Sequence, residues 1–418
     1  HLIFMSLPVK DNREQTEDVK GTVQFSEMNL QEQLVNSLRR INFITATPIQ
    51  EQAIPAIISG IDVVARAKNG TGKSGAFAIP ILNQLDPSSG QIQALILAHT
   101  KELAMQLSLN IKEMSRQMGG VSDKVMCVVG GQEINDDRQR FELSPLIVVG
   151  TPGKVKSYLQ KKLINPRNIR TLVIDEADEL ITSQSFMEDL GDIMKFLPKG
   201  AQKLLFSATF PASVEQFCLK NMHDPEFINC MEQTLTLQGV SQYIACLRED
   251  RFKVKLLNQL FTKLAMNQCI VFVNKSAKCE PLCYQIQQDL QIPCLFVHAG
   301  MDLEKRSQIF HDFSHQKARV LVTTDLYTRG IDIRTVNVVI NFEVPLGSDM
   351  YLHRIGRCGR FGHRGLAITL MAGDFEKNRF LKIDSEIKGG MTIKLLPADL
   401  GEIDTSLYAC SREDVQMK

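Results

Sequence analysis

Short runs of β-branched and other apolar residues recur along the chain, and each is followed by a helical pattern or by a turn that contains glycine. The predicted strands are residues 62–67, 94–98, 125–129, 146–149, 172–174 and 203–206 in the first half, and 243–247, 269–273, 294–297, 320–323, 336–341 and 366–370 in the second. Runs that are apolar throughout are typical of parallel sheets covered by helices on both faces. Two such sets in series predict an α/β protein with two tandem, doubly wound parallel-sheet domains.

The segments between these sets predict the domain boundaries. Residues 1–24 contain the charged, patternless stretch KDNREQTEDVKGT, which predicts a flexible N-terminal arm. Residues 229–238 are polar and lack strong periodicity, which predicts a short linker between a first domain at 25–228 and a second at 239–418. The apolar opening at residues 1–9 is short and has no basic leader, so we do not expect it to be a signal peptide.

Composition is that of a soluble folded protein, with 418 residues, 44% hydrophobic and 23% charged. No apolar run approaches the roughly 20 residues of a membrane span. The formal net charge of +1 means that any grip on nucleic acid must come from a local basic surface. The 10 cysteines include no Cys-x-x-Cys pair, which favours reduced thiols over a zinc site or a disulfide framework.

A candidate phosphate-binding loop follows the first predicted strand directly. Its residues are Ala67, Lys68, Asn69, Gly70, Thr71, Gly72, Lys73 and Ser74, with alanine where the first glycine of the pattern is usual. Gly70 and Gly72 can adopt the backbone angles that turn successive N–H groups toward a phosphate, and the helix predicted at 75–82 would point its positive end at the same anion. Lys73 would neutralise the β and γ phosphates, and the hydroxyl of Ser74 would bind Mg²⁺. The alternative is a glycine-rich turn that arose by chance.

A group of acids ends the strand predicted at 172–174, in the order Asp175, Glu176, Ala177 and Asp178. An acid at the carboxyl end of a central parallel strand lies beside the phosphate loop. We therefore expect Asp175 to hold Mg²⁺ through water and Glu176 to deprotonate the attacking water. Taken alone, such a run of acids is as readily a solvated turn, but the loop a hundred residues earlier makes that alternative improbable.

Ordered motifs then identify a resemblance. The strings AKNGTGKS, VIDEAD, SAT and HRIGRCGR, with TPIQ before them and GG, TPGK and TRGID between them, resemble those of the DEAD-box RNA helicases. The similarity extends from about residue 25 to residue 408, nearly the whole chain. It implies two RecA-like domains and an ATP-dependent RNA helicase that binds ATP with Mg²⁺.

The resemblance assigns further roles at the ATP site. It implies that Gln50 reads the edge of adenine and that Phe25 stacks on the base, although Phe25 could instead be a plain core aromatic. Ser207 and Thr209 are implied to link hydrolysis to RNA through hydroxyl contacts with the acids; bare strand-end hydroxyls are more often local caps. Asp332 is implied to contact the ribose or to order nearby arginines.

Two arginines of the second domain complete the catalytic set that the resemblance implies. Arg357 and Arg360 are expected to reach the γ-phosphate, for which a permanently charged, forked group is suited. Because Lys73 and Glu176 belong to the first domain, catalysis is then expected to require domain closure. The alternative for HRIGRCGR is a solvated basic helix.

The RNA path implied by the resemblance consists of small hydroxyl residues, glycines and a few cations. They are Thr100, Lys101, Gly131, Thr151, Pro152, Gly153 and Lys154 in the first domain and Arg306 and Thr323 in the second. Such groups suit sugar–phosphate contacts, which carry no base sequence. We therefore expect single-stranded RNA to bind with little sequence specificity.

This chain departs from the family pattern at several positions. His99 stands where proline is usual, Lys101 and Lys154 where arginine is usual, and Leu303 where glutamine is common. Asn42 and Ala46 replace a glycine and a proline near Gln50. Since each lysine keeps the charge but loses bidentate geometry, RNA binding weaker or more salt-sensitive than in a typical member is predicted.

Longer strings indicate a subfamily. ARAKNGTGKSGAFAIPIL, LTLQGVSQYIA and RFGHRGLAITL resemble the cytoplasmic helicases that activate mRNA decapping and repress translation in processing bodies. The resemblance implies a monomer that docks decapping and deadenylase-scaffold proteins on the outer face of its second domain. The alternatives are a translation-initiation helicase and an ATP-gated RNA clamp or scaffold with low turnover. A GTPase is disfavoured because no aspartate follows Asn274-Lys275 at the guanine-reading position.

Overall fold

The structure is a computed structural model that describes residues 21–67, 70–230, 240–264, 266–325, 333, 335–358, 364–387, 393–397 and 399–403. The chain forms two compact units, an N-terminal unit whose described residues run from 21 to 230 and a C-terminal unit whose described residues run from 240 to 403. Residues 1–20 of the predicted arm and 231–238 of the predicted linker lie outside the described residues. The exact domain bounds therefore stay predictions.

The N-terminal unit has one parallel sheet flanked by helices. Its strands are β1 (Val63–Arg66), β2 (Ala94–Leu97), β3 (Val125–Val128), β4 (Ile147–Gly150), β5 (Thr171–Asp175), β6 (Gln202–Ser207) and β7 (Glu226–Asn229). Its helices are α1 (Glu32–Arg40), α2 (Pro48–Ile58), α3 (Lys73–Gln84), α4 (Lys101–Met114), α5 (Ile134–Glu142), α6 (Pro152–Gln160), α7 (Ala177–Thr182), α8 (Gln184–Phe196) and α9 (Ala212–Asn221). The strand order is β3-β4-β2-β5-β6-β1-β7.

The C-terminal unit repeats this architecture. Its strands are β8 (Val240–Leu247), β9 (Gln268–Phe272), β10 (Cys294–Val297), β11 (Val320–Thr323), β12 (Val336–Asn341), β13 (Gly365–Ala372) and β14 (Ile393–Leu395). Its helices are α10 (Arg251–Lys263), α11 (Cys279–Leu290), α12 (Leu303–Ser314), α13 (Ser348–Ile355) and α14 (Gly373–Glu386). The order β10-β11-β9-β12-β13-β8-β14 is, strand for strand, the order of the first sheet.

Both sheets are buried on two faces, as their unbroken apolar runs predicted. Along β9, Cys269 and Val271 belong to one hydrophobic cluster, and Ile270 and Phe272 belong to another on the opposite face. The pairings between strands within each sheet are parallel. The predicted fold class, two tandem doubly wound α/β domains, is confirmed. Within the described part of the chain, no helix combines the length and apolarity that crossing a bilayer would need.

Candidate active site

The strand order of the N-terminal sheet brings three of the sequence motifs side by side. β5, β6 and β1 are successive neighbours, with Asp175 opposite Phe206 and Arg66 opposite Ser207. Because the strands are parallel, their carboxyl ends share one edge, and this edge is where ligands bind in such sheets. The phosphate loop follows β1, the acids end β5 and the SAT motif ends β6, so all three lie at that edge.

The phosphate loop has the backbone that its glycines allow. Gly70 has φ of +80° and Gly72 has φ of +95°, both in the left-handed region. Helix α3 begins at Lys73, two residues earlier than predicted, with Gly72 as its N-cap. Its N-terminal N–H groups and dipole are therefore available to an anion held by the loop. Lys68 and Asn69 lie outside the described residues.

Lys73 lies within the curve of this loop. Its side chain is buried, and Nζ donates a hydrogen bond of 2.8 Å to the carbonyl of Ala67 at the start of the loop. A lysine in this place can contact a bound phosphate by a small movement of its terminal atoms.

Gln50 is buried beneath the loop at the start of α2. Its Oε1 accepts a hydrogen bond of 2.9 Å from the N–H of Thr47, and its Nε2 donates to the carbonyl of Gly72 at 3.0 Å. A Cβ at either Gly72 or Gly75 would lie 2.5 Å from that Nε2, so both glycines are needed for the close approach. Gln50 thus ties α2 to the phosphate loop, a role that the sequence analysis missed.

Phe25 is only 1% exposed and stacks on Phe43, with ring centroids 6.4 Å apart and planes 17° apart. In this position Phe25 is a buried core aromatic, which was the alternative to stacking on adenine. An adenine base could stack on the Phe25 ring only after the ring moved. The neighbouring Asn42, which replaces a glycine of the family, has φ of +62°. Asparagine tolerates this left-handed conformation better than most residues, which explains how the substitution is accommodated.

Three carboxylates crowd together after β5. Asp175 is 3% exposed, Glu176 6% and Asp178 5%. Burial, followed by the charge of Glu176, raises the pKa of Asp175 from 3.8 to about 7, while Lys73 acts in the opposite direction. This shortage of positive charge is what a bound divalent cation would relieve, so the residues present fit Mg²⁺.

The backbone at Glu176 is unusual. The residue has φ of +49° and ψ of +53°, a left-handed conformation that is rare for glutamate. Its N–H donates a hydrogen bond of 3.0 Å to Oδ1 of Asp175. Strain of this kind is common at active sites, where it aims a side chain that a relaxed turn would place elsewhere.

The SAT motif makes one of the contacts expected of its hydroxyls. Thr209 Oγ1 donates to Asp178 Oδ2 at 2.5 Å, which joins the end of β6 to the acids after β5. Ser207 is fully buried, and its hydroxyl has no hydrogen-bond partner among the residues that the structure describes.

The first half of the predicted RNA path lies at the same edge of the sheet, after β2 and β3. Thr100 caps α4, accepting a hydrogen bond of 3.2 Å from the N–H of Leu103. Lys101 extends over Gly130, where a Cβ would lie 3.3 Å from its Cε, and the adjacent Gly131 has φ of +97°. The fold therefore brings Lys101 and the glycine pair together.

The TPGK motif follows β4, which lies between β3 and β2. Thr151 is the N-cap of α6, Pro152 its first residue and buried, and Gly153 is exposed. Lys154 follows in the same turn and is half-buried. These residues and those after β2 and β3 occupy adjacent strand ends.

A buried network holds Lys154, and sequence reasoning missed it. Asp137 is fully buried and accepts hydrogen bonds from Tyr158 Oη at 2.5 Å and Arg140 Nη1 at 2.9 Å. Lys154 Nζ lies 3.7 Å from Oδ2, the oxygen that also accepts the Tyr158 hydroxyl, and donates at 3.0 Å to the carbonyl of Gln132. The spacing of Asp137 and Arg140 on α5 was the available signal, but nothing local linked that pair to α6.

In the C-terminal unit, Arg354 organises three adjacent strand ends, and it was also missed. It is fully buried and makes a bidentate pair with Asp325 at 2.6 and 2.8 Å. It also donates to Asn274 Oδ1 at 2.8 Å and to the carbonyl of Glu343 at 3.0 Å. Such a fork of donors fixes α13 on β11, β9 and β12.

The arginines predicted to reach the γ-phosphate are only partly described. Arg357 is 2% exposed, and its Nε donates to the carbonyl of His353 at 3.1 Å, so its guanidinium is held against the end of α13, which lies just before it in the chain. Arg360 and Asp332 lie outside the described residues.

The predicted RNA residues of the C-terminal unit differ in their placement. Arg306 is 6% exposed and donates to the carbonyl of Ala299 at 3.3 Å. Thr323 is fully buried, and its hydroxyl donates to the carbonyl of Thr324 at 3.1 Å. The strand still faces the core at Thr323, and the predicted contact of this residue with RNA stays a prediction. The half-buried Thr324 is the first residue after the strand to leave the core. The side chain of Leu303 lies outside the described part.

Comparisons with known proteins agree with this geometry. The family model described as DEAD/DEAH box helicase matches residues 47–217, and the model described as helicase conserved C-terminal domain matches residues 252–362. The chain is 45% identical over 408 residues to the ATP-dependent RNA helicase DHH1 of Candida glabrata, covering 97% of this chain and 78% of the relative. It is 44% identical over 407 residues to the probable ATP-dependent RNA helicase ddx6 of Dictyostelium discoideum, covering 97% and 93%.

Among solved structures, the chain is similar to S. cerevisiae Dbp5 bound to RNA and ADP BeF3. The TM-score is 0.82 at 27% sequence identity, and the match covers 90% of this chain and 96% of that one.

Proposed function

The chain belongs to the DEAD/DEAH box helicases and is an ATP-dependent RNA helicase, and we propose that the residues at the carboxyl edge of its N-terminal sheet bind and hydrolyse the ATP. The observation that carries this proposal is the adjacency of β5, β6 and β1, which gathers the phosphate loop, the acids and Thr209 at one edge. The phosphate loop can bind an anion, Lys73 supplies a positive charge, Glu176 can act as a base, and the hydrogen bond from Thr209 to Asp178 joins the end of β6 to the acids. Phosphoryl transfer needs an anion site, a positive charge and a base.

Each residue of this set has a distinct role in the proposal. Gly70 and Gly72 turn backbone N–H groups toward the β and γ phosphates, and Lys73 exchanges the carbonyl of Ala67 for a phosphate oxygen. Glu176 accepts the proton of the attacking water. The remaining N–H and lone pair of the Gln50 amide are free to pair with the edge of adenine, since each end of that amide uses one of its two bonds on the protein.

We propose Ser74 and Asp175 as the residues that hold Mg²⁺, the carboxylate through water. When bound, the ion neutralises charge on the β and γ phosphates and on the crowded acids. The half-buried Ser74 follows Lys73 in the first turn of α3, and a bound cation would oppose the burial and the charge of Glu176 that raise the pKa of Asp175.

Arg357 and Arg360 are proposed, by resemblance, to contact the γ-phosphate during hydrolysis. The support is their place in the HRIGRCGR string, together with the buried anchoring of Arg354 that fixes α13. An arginine in this role stabilises charge in the transition state and raises kcat by a factor of about 10³–10⁵.

The proposal is tested by RNA-stimulated ATP hydrolysis in the variant Glu176→Gln. We expect ATP and RNA binding to be retained while turnover is nearly abolished, because glutamine has the shape of glutamate but cannot accept the proton. Glu188→Gln, an exposed acid of α8, is the matched control and should hydrolyse ATP at the wild-type rate. Wild-type turnover by Glu176→Gln would exclude Glu176 as the base. If RNA does not stimulate ATP hydrolysis by the wild-type protein, the alternative of an ATP-gated RNA clamp is favoured.

For RNA, we propose that Thr100, Lys101, Gly131 and the TPGK residues hold the sugar–phosphate backbone of a single strand. Their placement after the neighbouring strands β3, β4 and β2 supports this, because the carboxyl ends of parallel strands share one edge of the sheet and this edge then carries two lysines. Contacts of this type predict little base preference. Single-stranded RNA oligomers of equal length and different sequence should therefore compete equally well, and a strong preference for one would contradict the assignment.

In the cell, we propose a cytoplasmic, monomeric protein of mRNA decapping and translational repression, present in processing bodies or related granules. The support is the extended similarity of strings such as LTLQGVSQYIA to that subfamily. Tethering the protein to a reporter mRNA should lower the yield of reporter protein. An increase would favour the translation-initiation alternative.

Decapping and deadenylase-scaffold partners are proposed to dock on the groove between α10 and α11. This groove has a volume of about 530 Å³, and Arg251, Lys255, Lys263 and a single acid, Asp289, are among its lining residues. Excess positive charge suits a short acidic peptide segment. Lys255→Glu with Lys263→Glu should abolish capture of such peptides while leaving RNA-stimulated ATP hydrolysis unchanged. Capture that survives both changes would remove this surface from the proposal.

A further inference from the structure

His99 and Glu176 lie in contact at the catalytic edge of the N-terminal sheet. β2 and β5 are hydrogen-bonded neighbours with Leu97 opposite Ile174. Two residues further along each strand, His99 and Glu176 leave the sheet side by side, and His99 Nδ1 lies 3.4 Å from Glu176 Oε2. The approach is therefore imposed by strand register and does not depend on a mobile surface side chain.

Both side chains are largely removed from water. The His99 side chain is 10% exposed and that of Glu176 is 8% exposed. Interactions between polar groups strengthen in such surroundings, since solvent screens them less. Asp175, the residue before Glu176, is also a buried carboxylate and the two repel each other, so a polar nitrogen beside the Glu176 carboxylate stabilises one position for it.

The backbone alone does not fix that position. The left-handed conformation of Glu176 sets the direction in which its Cβ leaves the chain, but three side-chain torsions remain before the carboxylate. A general base must lie within hydrogen-bond reach of its proton, and a displacement of about 1 Å can lower a rate by about 10². A contact on Oε2 restrains those torsions.

We propose that His99 is a positioning residue for ATP hydrolysis, its Nδ1 holding the Glu176 carboxylate toward the attacking water. The inference rests on the proposed function, which assigns Glu176 as the base. The distance of 3.4 Å exceeds the roughly 3.2 Å of a good N–H···O bond, and the proposal is that this hydrogen bond forms fully when the nucleotide binds, as hydrogen bonds of catalytic groups often do. Proline, which is usual at position 99 in the family, has no side-chain nitrogen able to make the contact, so the device belongs to this chain.

Two amide variants test the proposal directly. In His99→Asn the amide nitrogen occupies the place of Nδ1, whereas in His99→Gln it occupies the place of Nε2. The two variants present the same amide group and differ by the one methylene that sets where its N–H donors lie. With His99→Ala they are compared with the wild type in steady-state ATP hydrolysis at saturating poly(U) RNA.

We expect His99→Ala and His99→Gln to lower kcat about tenfold or more with KM for ATP within about twofold, as for a group acting only on the chemical step. His99→Asn should retain most of the wild-type kcat. Wild-type kcat in His99→Ala, equal kcat in the Asn and Gln variants, or a raised KM with unchanged kcat would each overturn the proposal. Should His99→Ala prove unstable, the comparison between Asn and Gln still decides.

A double variant that combines His99→Ala with Glu176→Gln separates this inference from the proposed function. Because His99 acts through Glu176, adding His99→Ala to Glu176→Gln should cause no additional loss of turnover. If Glu176→Gln does not hydrolyse ATP but His99→Ala does so at the wild-type rate, the positioning role is rejected and the proposed function is kept. Glu176→Gln as active as the wild type would reject both.

Discussion

The side-chain amide of Gln50 donates a hydrogen bond of 3.0 Å to the carbonyl of Gly72, 22 positions further along the chain. The same amide accepts a bond of 2.9 Å from Thr47, so it connects the start of α2 to the turn of the phosphate loop. A residue that resemblance assigns to adenine recognition therefore also supports the phosphate-binding backbone. Base recognition and phosphate binding are linked through one buried side chain.

Gly75→Ala tests this link. A Cβ at this position would lie 2.5 Å from Gln50 Nε2, so the amide must shift and weaken its bond to Gly72. We expect ATP affinity to fall about fivefold to tenfold, since one hydrogen bond contributes roughly 1 kcal/mol net. Binding of a fluorescent ATP analogue measures the change.

Gly191→Ala in α8 is the matched control for that variant. Nothing lies within 4 Å of a Cβ built there, and alanine favours a helix over glycine by about 1 kcal/mol. ATP affinity should stay unchanged and the free energy of unfolding should rise slightly. Equal ATP affinity in the two variants would contradict the linkage.

Thr209→Val tests the tie between the SAT motif and the acids. Valine keeps the shape of threonine but removes the hydroxyl that donates to Asp178, so this buried carboxylate loses one hydrogen bond. We expect a destabilisation of about 1–3 kcal/mol and a lower RNA-stimulated kcat. Ser207→Ala should cost less, because that hydroxyl has no partner among the described residues. Chemical unfolding and ATPase rates measure both, and equal losses would count against the assignment.

Lys154→Arg tests the predicted weakness of RNA binding. Arginine can pair with Asp137 through two parallel bonds, whereas Lys154 Nζ lies 3.7 Å from that carboxylate. Its fork can also contact a phosphate. We expect RNA to bind more tightly and with less loss of affinity on adding salt, as measured by fluorescence anisotropy across a salt titration.

Lys156→Arg, on the same helix, serves as the control for the RNA measurement. Lys156 is already paired with Asp189 at 2.7 Å and Asp192 at 3.1 Å. RNA affinity should not change in this variant. An unchanged affinity in Lys154→Arg as well would show that bidentate geometry at position 154 does not limit binding.

Asp175→Asn should alter how stability depends on pH. Since burial and Glu176 raise the pKa of Asp175 from 3.8 to about 7, the folded state keeps this proton over a pH range where the unfolded chain has lost it. The stabilisation present at low pH is therefore lost as pH rises through about 7. Asparagine removes this dependence.

The measurement is chemical unfolding without nucleotide at about pH 5 and about pH 8. The gain in free energy of unfolding from Asp175→Asn should be larger at the higher pH. A gain that is equal at both values would mean that the carboxyl is ionised in the folded protein throughout.

The local pattern of the chain determined most of the secondary structure. Continuous apolar runs predicted the central strands, and Cys294–Val297, Val320–Thr323 and Val336–Asn341 have the predicted bounds. The strands that the pattern missed are Glu226–Asn229 and Ile393–Leu395, each at one edge of its sheet. Both are short and mostly exposed, so their sequences do not carry the continuous apolar signal of a strand buried on both faces.

Sequence alone also identified the motifs. The backbone angles that glycine allows, the helix after the phosphate loop and the acid at the end of a strand each depend on residues that are neighbours in the chain. Only the tertiary structure decided which of these residues touch. The bonds from Gln50 to Gly72 and from Thr209 to Asp178, and the approach of His99 to Glu176, depend on strand order and register across long stretches of chain. The same holds for the burial of Phe25 and Thr323. Contacts of that kind are set by how whole elements pack, and no short window of sequence contains that information.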